Sequence, residues 1–596
     1  MRTQEIYDLI VVGAGPGGLV CAKFAAEYKL RTLVLEKSKQ IGDKNASGCA
    51  LSPKCWRDLP FMNTFFDQVP HRVGKRATMH FINQDREETS TVSFSASKRF
   101  ASYDGASSFL TINAYRKDFD VWLAGLASAT GAIIKNSSLV TDVNFNVERV
   151  EEHNKSLHEV VVNGTEKYYA PLVIAADGVF SQVMRSAGLH SKWRNDDLTL
   201  MVTIDFEAEK DKIDEFFGNN SIHYFYGANF PIGYVFFNQD GFHAGLGHYI
   251  NWFIKEKVTP LMCLEELLST PAIQKIVKLL GAKPREFQAH ALPFLASPNQ
   301  QYTDGMLALG DANGLICPLE AEGVYYAMMA GKIAADVALE AKRNNDYSSR
   351  YLSNYQGLIE VSPIGQEFQL GREWKQFIDN VPFNLDASPW INELLNDTLF
   401  AAMNVAESHA ETIQQHMHQR ALLLGRIVYP HVKDIVSKPM VSILDEFLNH
   451  YLEKLNLSAL LRPLLNSTRS MRERIIKQVL DDWLVDKRVL EMAEEEIPPL
   501  KTRILATGTL NVRNLINIDE SSEPIILYDD EKCVNCGNCE IICPMKLWKI
   551  GEKRAILEEG HQKYCVECGS CFQACNADAI TIQFPMHGKG VRYTYG

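Results

Sequence analysis

The chain has 596 residues, 46% of them apolar and 22% charged, with a net charge of −12. That length has room for about three or four folding units with sizeable cores. The acidic balance, with no basic stretch interleaved with aromatics, argues against a nucleic-acid partner, and no run of about 20 apolar residues is present to span a membrane as a helix.

Residues Tyr7 to Val12 form a short apolar run that reads as a buried strand. It leads straight into Gly13-Ala14-Gly15-Pro16-Gly17-Gly18, where Gly13, Gly15 and Gly18 meet the pattern G-x-G-x-x-G. A helix-like segment, Leu19 to Tyr28, and a second strand, Arg31 to Leu35, follow and end at Glu36. The glycines permit a tight turn and close approach to a pyrophosphate at a helix N-terminus. Glu36 stands where it can accept hydrogen bonds from an adenosine ribose. The unit predicts a dinucleotide site without separating NAD from FAD. A chain that enters its first strand so early is expected to lack a secretory signal.

Two later segments favour FAD. Val173-Ile174-Ala175-Ala176-Asp177-Gly178 follows a strand-like stretch, with Ser181 and Arg185 beyond it. Leu307-Ala308-Leu309-Gly310-Asp311-Ala312 is a strand ending in Gly-Asp, followed by Pro318-Leu319-Glu320-Ala321-Glu322-Gly323. Here the chain resembles the large FAD family of geranylgeranyl reductases, aromatic hydroxylases and electron-transfer-flavoprotein dehydrogenases. The resemblance implies that Gly310 and Asp311 approach the pyrophosphate and ribitol. It implies that Gly323, with Glu322 and Cys49, lies near the flavin ring, and that Arg116 reaches FAD from a helix start. Asp177 and Gly178 join the implied cofactor set. Taken singly, Asp177 and Asp311 also fit ordinary strand-end turns.

Phe216 to Gln239 lacks Asp, Glu, Lys and Arg but is broken by Gly218, Gly227, Pro231 and Gly233. It reads as strands, His223 to Tyr226 and Gly233 to Phe237, with another from His243 to Tyr249. In the family this lobe roofs the flavin. Tyr224, Phe225, Tyr226, Phe230, Tyr234 and Phe236 form an expected apolar wall for a quinone, or an ordinary sheet core. Residues 346 to 500 read mostly as helices. Ile443 to Leu465 makes a wide apolar stripe, with Trp390 to Met403 a second. Each fits either a helix in a bilayer interface or a core helix. Residues 501 to 524 read as a connector.

Eight cysteines near the C-terminus fall into two blocks of identical spacing, C-x2-C-x2-C-x3-C. This is the thiolate spacing of a two-cluster [4Fe–4S] ferredoxin, in which the fourth cysteine of each run serves the other cluster. Cys533, Cys536, Cys539 and Cys575 are therefore assigned to cluster 1, and Cys565, Cys568, Cys571 and Cys543 to cluster 2. Zinc sites and disulfides are the competing readings, and neither favours this spacing twice. Of the other cysteines, Cys49 and Cys317 stand in motifs that could face the flavin; small core residues are the alternative.

Lys44-Asn45-Ala46-Ser47-Gly48 looks like the Lys-Asn-x-Ser-Gly loop of the electron-transfer-flavoprotein:quinone oxidoreductase branch, especially its nitrogen-fixation-type dehydrogenase subunit. Lys44 and Ser47 thereby join the implied FAD set. Tyr564 to Gly569 and the tail Phe584 to Tyr593 look like that subunit's separate ferredoxin-like partner, so the chain resembles the two fused. Pro318 to Gly323 and Gly48 to Pro53 are instead similar to geranylgeranyl reductases.

The expected architecture is an α/β FAD-binding Rossmann-like domain (1–190, returning at 296–345) with a β-sheet substrate lobe (191–295). A helical region (346–500), a connector (501–524) and a ferredoxin-like α+β domain (525–596) complete it. The expected reaction passes electrons between electron-transfer flavoprotein and a membrane quinone, on the inner face of the cytoplasmic membrane. A prenyl double-bond reductase with a fused electron supply and a relay subunit of a larger complex are the alternatives.

Overall fold

The computed structural model describes residues 5–46, 50–83, 85–95, 109–147, 156–190, 192–227, 229–294, 300–317, 321–369, 371 and 500–596. Ser47, Cys49 and both apolar stripes between 390 and 465 lie outside these residues.

Among the described residues, six strands form the central sheet, in the spatial order Tyr302–Thr303, Met306–Ala308, Val173–Ala175, Leu9–Val12, Thr32–Leu35 and Ile133–Lys135. All neighbours run parallel except the edge pair Tyr302–Thr303 and Met306–Ala308. Leu9–Val12 and Thr32–Leu35 are buried at every position, which is why they read as unbroken apolar runs rather than alternating ones. The helix Pro16–Glu27 leaves the first strand through the glycine turn and crosses the long helix Val324–Asn344. The crossing is close because Gly331 faces the Gly17 carbonyl, where any Cβ would collide.

The lobe is a sheet in the order Lys283–Pro293, Leu198–Glu207, Gly241–Tyr249, Gly233–Phe237, Asn220–Gly227, Arg76–Ile82 and Glu88–Ser95. Its last two strands come from within the first 190 residues, so the lobe is wider than the 191–295 segment. Arg76–Ile82 pairs in parallel with Asn220–Gly227, a contact between distant stretches that no local pattern announces. The three expected lobe strands are present, two of them longer, from Asn220 and from Gly241.

The C-terminal region pairs Ile526–Tyr528 with Ile580–Ile582 and Trp548–Ile550 with Ala555–Leu557. Short helices, Asn538–Ile542 and Ser570–Ala574, each carry the third cysteine of a block. This unit shares one continuous apolar core with the lobe, in which Ile542, Trp548 and Val566 join Ile250, Phe253 and Leu261. Residues 501–524 are more than a connector. Asn517–Asp519 pairs with Gly590–Arg592, the Phe287 amide donates to the Leu515 carbonyl at 2.7 Å, and the buried Glu266 carboxylate accepts from the Leu505 and Ala506 amides. The segment is stitched to the lobe and to the C-terminal tail because those backbone groups find their partners there.

Candidate functional site

The carboxyl ends of the central strands, the inner face of the lobe and the ferredoxin-like unit enclose one cavity of about 2010 Å³. An open parallel sheet places ligands at that end of its strands. The volume exceeds the few hundred to about 1,000 Å³ of an ordinary small-molecule pocket, so it has room for a dinucleotide and a second ligand.

Gly13, Gly15, Gly18, Glu36, Lys44, Arg116, Asp177, Gly178, Gly310, Asp311, Glu322 and Gly323 all line this cavity. Gly13 has φ +101°, and a Cβ there would meet the Ala176 carbonyl. Gly15 faces open space at the start of the helix, a cradle that a side chain would fill and a pyrophosphate fits. Glu36 accepts hydrogen bonds from the Ala14 amide at 2.8 Å and from the Ser38 amide and hydroxyl at 2.7 Å. These bonds fix its carboxylate beside the turn. Burial pushes Asp311 up to about 6, partly offset by the Arg116 charge. Glu322 accepts from the Tyr325 amide at 2.9 Å and so caps the helix that Gly323 opens.

The Asp177 and Lys44 side chains are engaged by protein groups. The Asp177 carboxylate accepts from the Ser181 hydroxyl and the Gln182 and Val183 amides; it holds the start of a short helix, and the Gly178 backbone faces the cavity. Lys44 donates to Glu567 and to the Lys589 carbonyl, so its side chain is a seat for the ferredoxin-like unit. Asn45 donates to Asp120, which pairs with Arg116.

Strand alternation sorts the aromatic wall. Tyr224, Tyr226, Phe230, Tyr234 and Phe236 line the cavity together with Met79, Phe81 and Met201. Phe225 belongs to the opposite, core-facing side, fully buried and stacked on His80 at 4.5 Å. A run of adjacent aromatics on one strand cannot share a face, so Phe225 is removed from the expected wall. Cys317 likewise packs in the core, its Sγ 3.8 Å from the Glu367 carbonyl.

No disulfide joins the described cysteines. Among the described residues no three Cys, His, Asp or Glu side chains converge on one ion; a cubane instead spreads its four thiolates over four irons. Backbone amides of Ala555, Leu547 and Ala579 donate to the sulfurs of Cys533, Cys543 and Cys575 at 3.3–3.5 Å. Such N–H···S bonds are among the features that tune cluster thiolates, and the donor set fits that group. The two blocks face opposite ways. Cys536 is exposed beside Val534, which is 68% exposed. In the second block Val566 and Glu567 line the cavity.

The unit is fastened to the flavin side at several points. Lys192 pairs with Asp578 at 2.9 Å and donates to the Cys575 carbonyl at 2.5 Å. The Tyr593 amide donates to the Asp43 carbonyl at 2.6 Å. Glu286 accepts from the Thr594 and Tyr595 amides, and Arg285 stacks 3.6 Å from the Tyr595 ring. Lys37, missed in the sequence although it adjoins Glu36, lines the cavity with its ammonium 4.2 Å from the Phe584 ring. Glu567 was missed too; its signal was an acid in one cysteine loop where the other has Asn535.

Fold and site define an FAD-dependent oxidoreductase with a ferredoxin-like domain. The 4Fe–4S dicluster domain family matches residues 532–580, and an NAD(P)-binding Rossmann-like domain family matches residues 11–59. Digeranylgeranylglycerophospholipid reductase of Methanocaldococcus jannaschii is 30% identical over 357 residues, covering 59% of this chain and 82% of that one. Protein FixC of Escherichia coli is 25% identical over 393 residues, covering 63% and 87%. A geranylgeranyl bacteriochlorophyll reductase-like protein of Thermoplasma acidophilum shares the fold, with a TM-score of 0.52, 22% identity, and coverage of 71% and 100%. The chain belongs to the digeranylgeranylglycerophospholipid reductase family of flavoproteins and carries a 4Fe–4S dicluster domain at residues 532–580.

Proposed function

We propose that the protein passes electrons between an electron-transfer flavoprotein and a membrane quinone. The observation that carries this reading is the placement of the two cysteine loops, one with a solvent-exposed thiol and one walling the flavin cavity. When bound, the two iron–sulfur clusters supply one-electron steps and FAD exchanges single electrons for pairs.

The chain's own residues supply order and insulation. Cys533, Cys536, Cys539 and Cys575 hold the outer cluster, where the exposed Cys536 loop meets the partner flavoprotein. Cys565, Cys568, Cys571 and Cys543 would hold the inner cluster, in the block whose Val566 and Glu567 line the cavity. Gly13, Gly15, Gly18, Glu36, Arg116 and Asp311 seat the dinucleotide. Tyr224, Tyr226, Tyr234 and Phe236 exclude water and flank a flat apolar ring. The Thr203 and Tyr234 hydroxyls, hydrogen-bonded to each other at 2.5 Å, give that wall a polar handle. Among the described residues no helix is long and apolar enough to cross a membrane, so the reading places the protein peripherally on the bilayer surface, where it meets the quinone. Support for this branch also comes from Lys44, since the loop that resembles the nitrogen-fixation-type subunit contacts the part that resembles its ferredoxin-like partner.

A second reading, reduction of prenyl double bonds, is favoured by the 30% identity to an enzyme of that name. One anaerobic experiment separates them. The purified holoprotein is given enzymatically reduced electron-transfer flavoprotein and either a short-chain quinone analogue or a geranylgeranylated lipid. Quinone loss without change in the lipid is expected. Saturation of the lipid without quinone loss would overturn the first reading in favour of the second.

A further inference from the structure

The two cysteine loops read Cys-Val-Asn-Cys-Gly and Cys-Val-Glu-Cys-Gly. Their third residues, Asn535 and Glu567, share one left-handed backbone geometry, with φ 55° in both. Asn is enriched in that region, and Glu is not. Asn535 uses its amide locally, donating to the Gly551 carbonyl at 3.1 Å. Glu567 reaches out of its own domain. Lys44 lies 3.2 Å from both its carboxylate oxygens, and the Val591 amide donates to it at 2.7 Å. The paired side chains are only 6% and 4% exposed. Gly590 closes the enclosure, since any Cβ there would collide with the carboxylate. A backbone-disfavoured acid has thus been placed between two thiolates and matched by a cation from another domain.

A charge so enclosed acts through a medium that screens it far less than water does. The reduction potential of an iron–sulfur cluster depends on net charge, hydrogen bonds to sulfur and exposure. An uncompensated carboxylate beside the ligands would oppose arrival of an electron. We propose that Lys44 is a positioning and charge-balancing residue for the inner cluster. By neutralising Glu567 it sets that cluster's reduction potential, and by the same bond it ties the ligand loop to the flavin cavity. The first loop, with a neutral Asn535, needs no such cation. This rests on the ligand assignment proposed above, and not on the identity of the quinone.

The test is a reductive titration followed by electron paramagnetic resonance on the full-length holoprotein and its K44M, K44R, E567N and K44M/E567N variants, with iron and flavin content measured on each. Wild-type iron equal to two cubanes, with two cluster signals, checks the assignment separately; iron for one cubane would defeat that assignment instead. In K44M one cluster should shift to lower potential and the other stay in place. In E567N the same cluster should shift upward. K44R and the neutral double variant should return close to wild type. The proposal is overturned if neither single variant moves a potential, if both clusters move together, or if the double variant fails to revert. A K44M protein that loses inner-cluster iron while K44M/E567N retains it would support charge balance. Loss in both would overturn it, because the residue already used in the first loop would then fail in the second.

Discussion

The two cysteine blocks are near copies in sequence, yet one faces solvent and the other faces the flavin cavity. Val534 is 68% exposed while its counterpart Val566 is 3% exposed. The local loop geometry is the same, with positive φ at Asn535 and Glu567 and at Gly537 and Gly569. What differs is the surroundings. The second loop is packed by Phe180, Lys44 and the tail residues near Gly590, and the first is left open. Spacing alone therefore specifies the shape of the two loops, and the residues around each specify which way it faces.

The sharpest way to break this comparison is to add one methyl group to each loop. Gly569→Ala puts a Cβ into the Phe180 ring at φ +68°, whereas at Gly537, φ +85°, the nearest atom is an Ile550 carbon 3.8 Å away. Gly537→Ala should cost about 1–2 kcal/mol of backbone strain. Gly569→Ala should cost about 2–4 kcal/mol, since overpacking adds to it, and should loosen the domain contact. Thermal unfolding of the two variants, with flavin retention, checks the ordering; equal losses would erase the distinction.

A smaller effect concerns the flavin side. Burial holds Asp311 at about 6, above its unfolded value near 3.9. The folded protein without FAD therefore binds the extra proton, and its stability falls as pH rises from about 4 to about 6. Asp311→Asn should remove that slope. It should stabilise the flavin-free protein above about pH 6 by on the order of 1–2 kcal/mol, less than the full shift because the group opens onto the cavity. FAD affinity should fall in the same variant. Urea unfolding at pH 4 and pH 7 and a flavin titration measure both.

The smallest effect is expected at Lys192–Asp578, where the carboxylate is 79% exposed. Asp578→Asn should change stability by less than about 1 kcal/mol, and added salt should abolish even that. A large loss would show that the domain contact depends on its rim as much as on the enclosed Lys44–Glu567 pair.

The flavin turn and the cysteine blocks were legible because each is a short run whose chemistry depends on spacing. Leu9 to Glu36 is one βαβ unit, and each cysteine block spans only a few residues. The pairs that join the parts were not legible. Lys44 and Glu567 stand 523 positions apart, and Arg76–Ile82 finds its parallel neighbour at Asn220–Gly227. Nothing local marks either partner. The aromatic wall was half legible, because composition located the strands and only the pleat could exclude Phe225. Lys44 was visible as a motif residue, but its partner set the use of its charge.

The most direct test of the proposed route follows flavin absorbance in a stopped-flow mix of the holoprotein with reduced electron-transfer flavoprotein, beside the Cys568→Ala variant. The inner loop as the last station before FAD predicts rapid flavin bleaching in the wild type. It predicts near-complete loss in the variant, whose flavin still bleaches with dithionite. Wild-type bleaching rates in Cys568→Ala would contradict it, because electrons would then reach the flavin without the loop that walls its cavity.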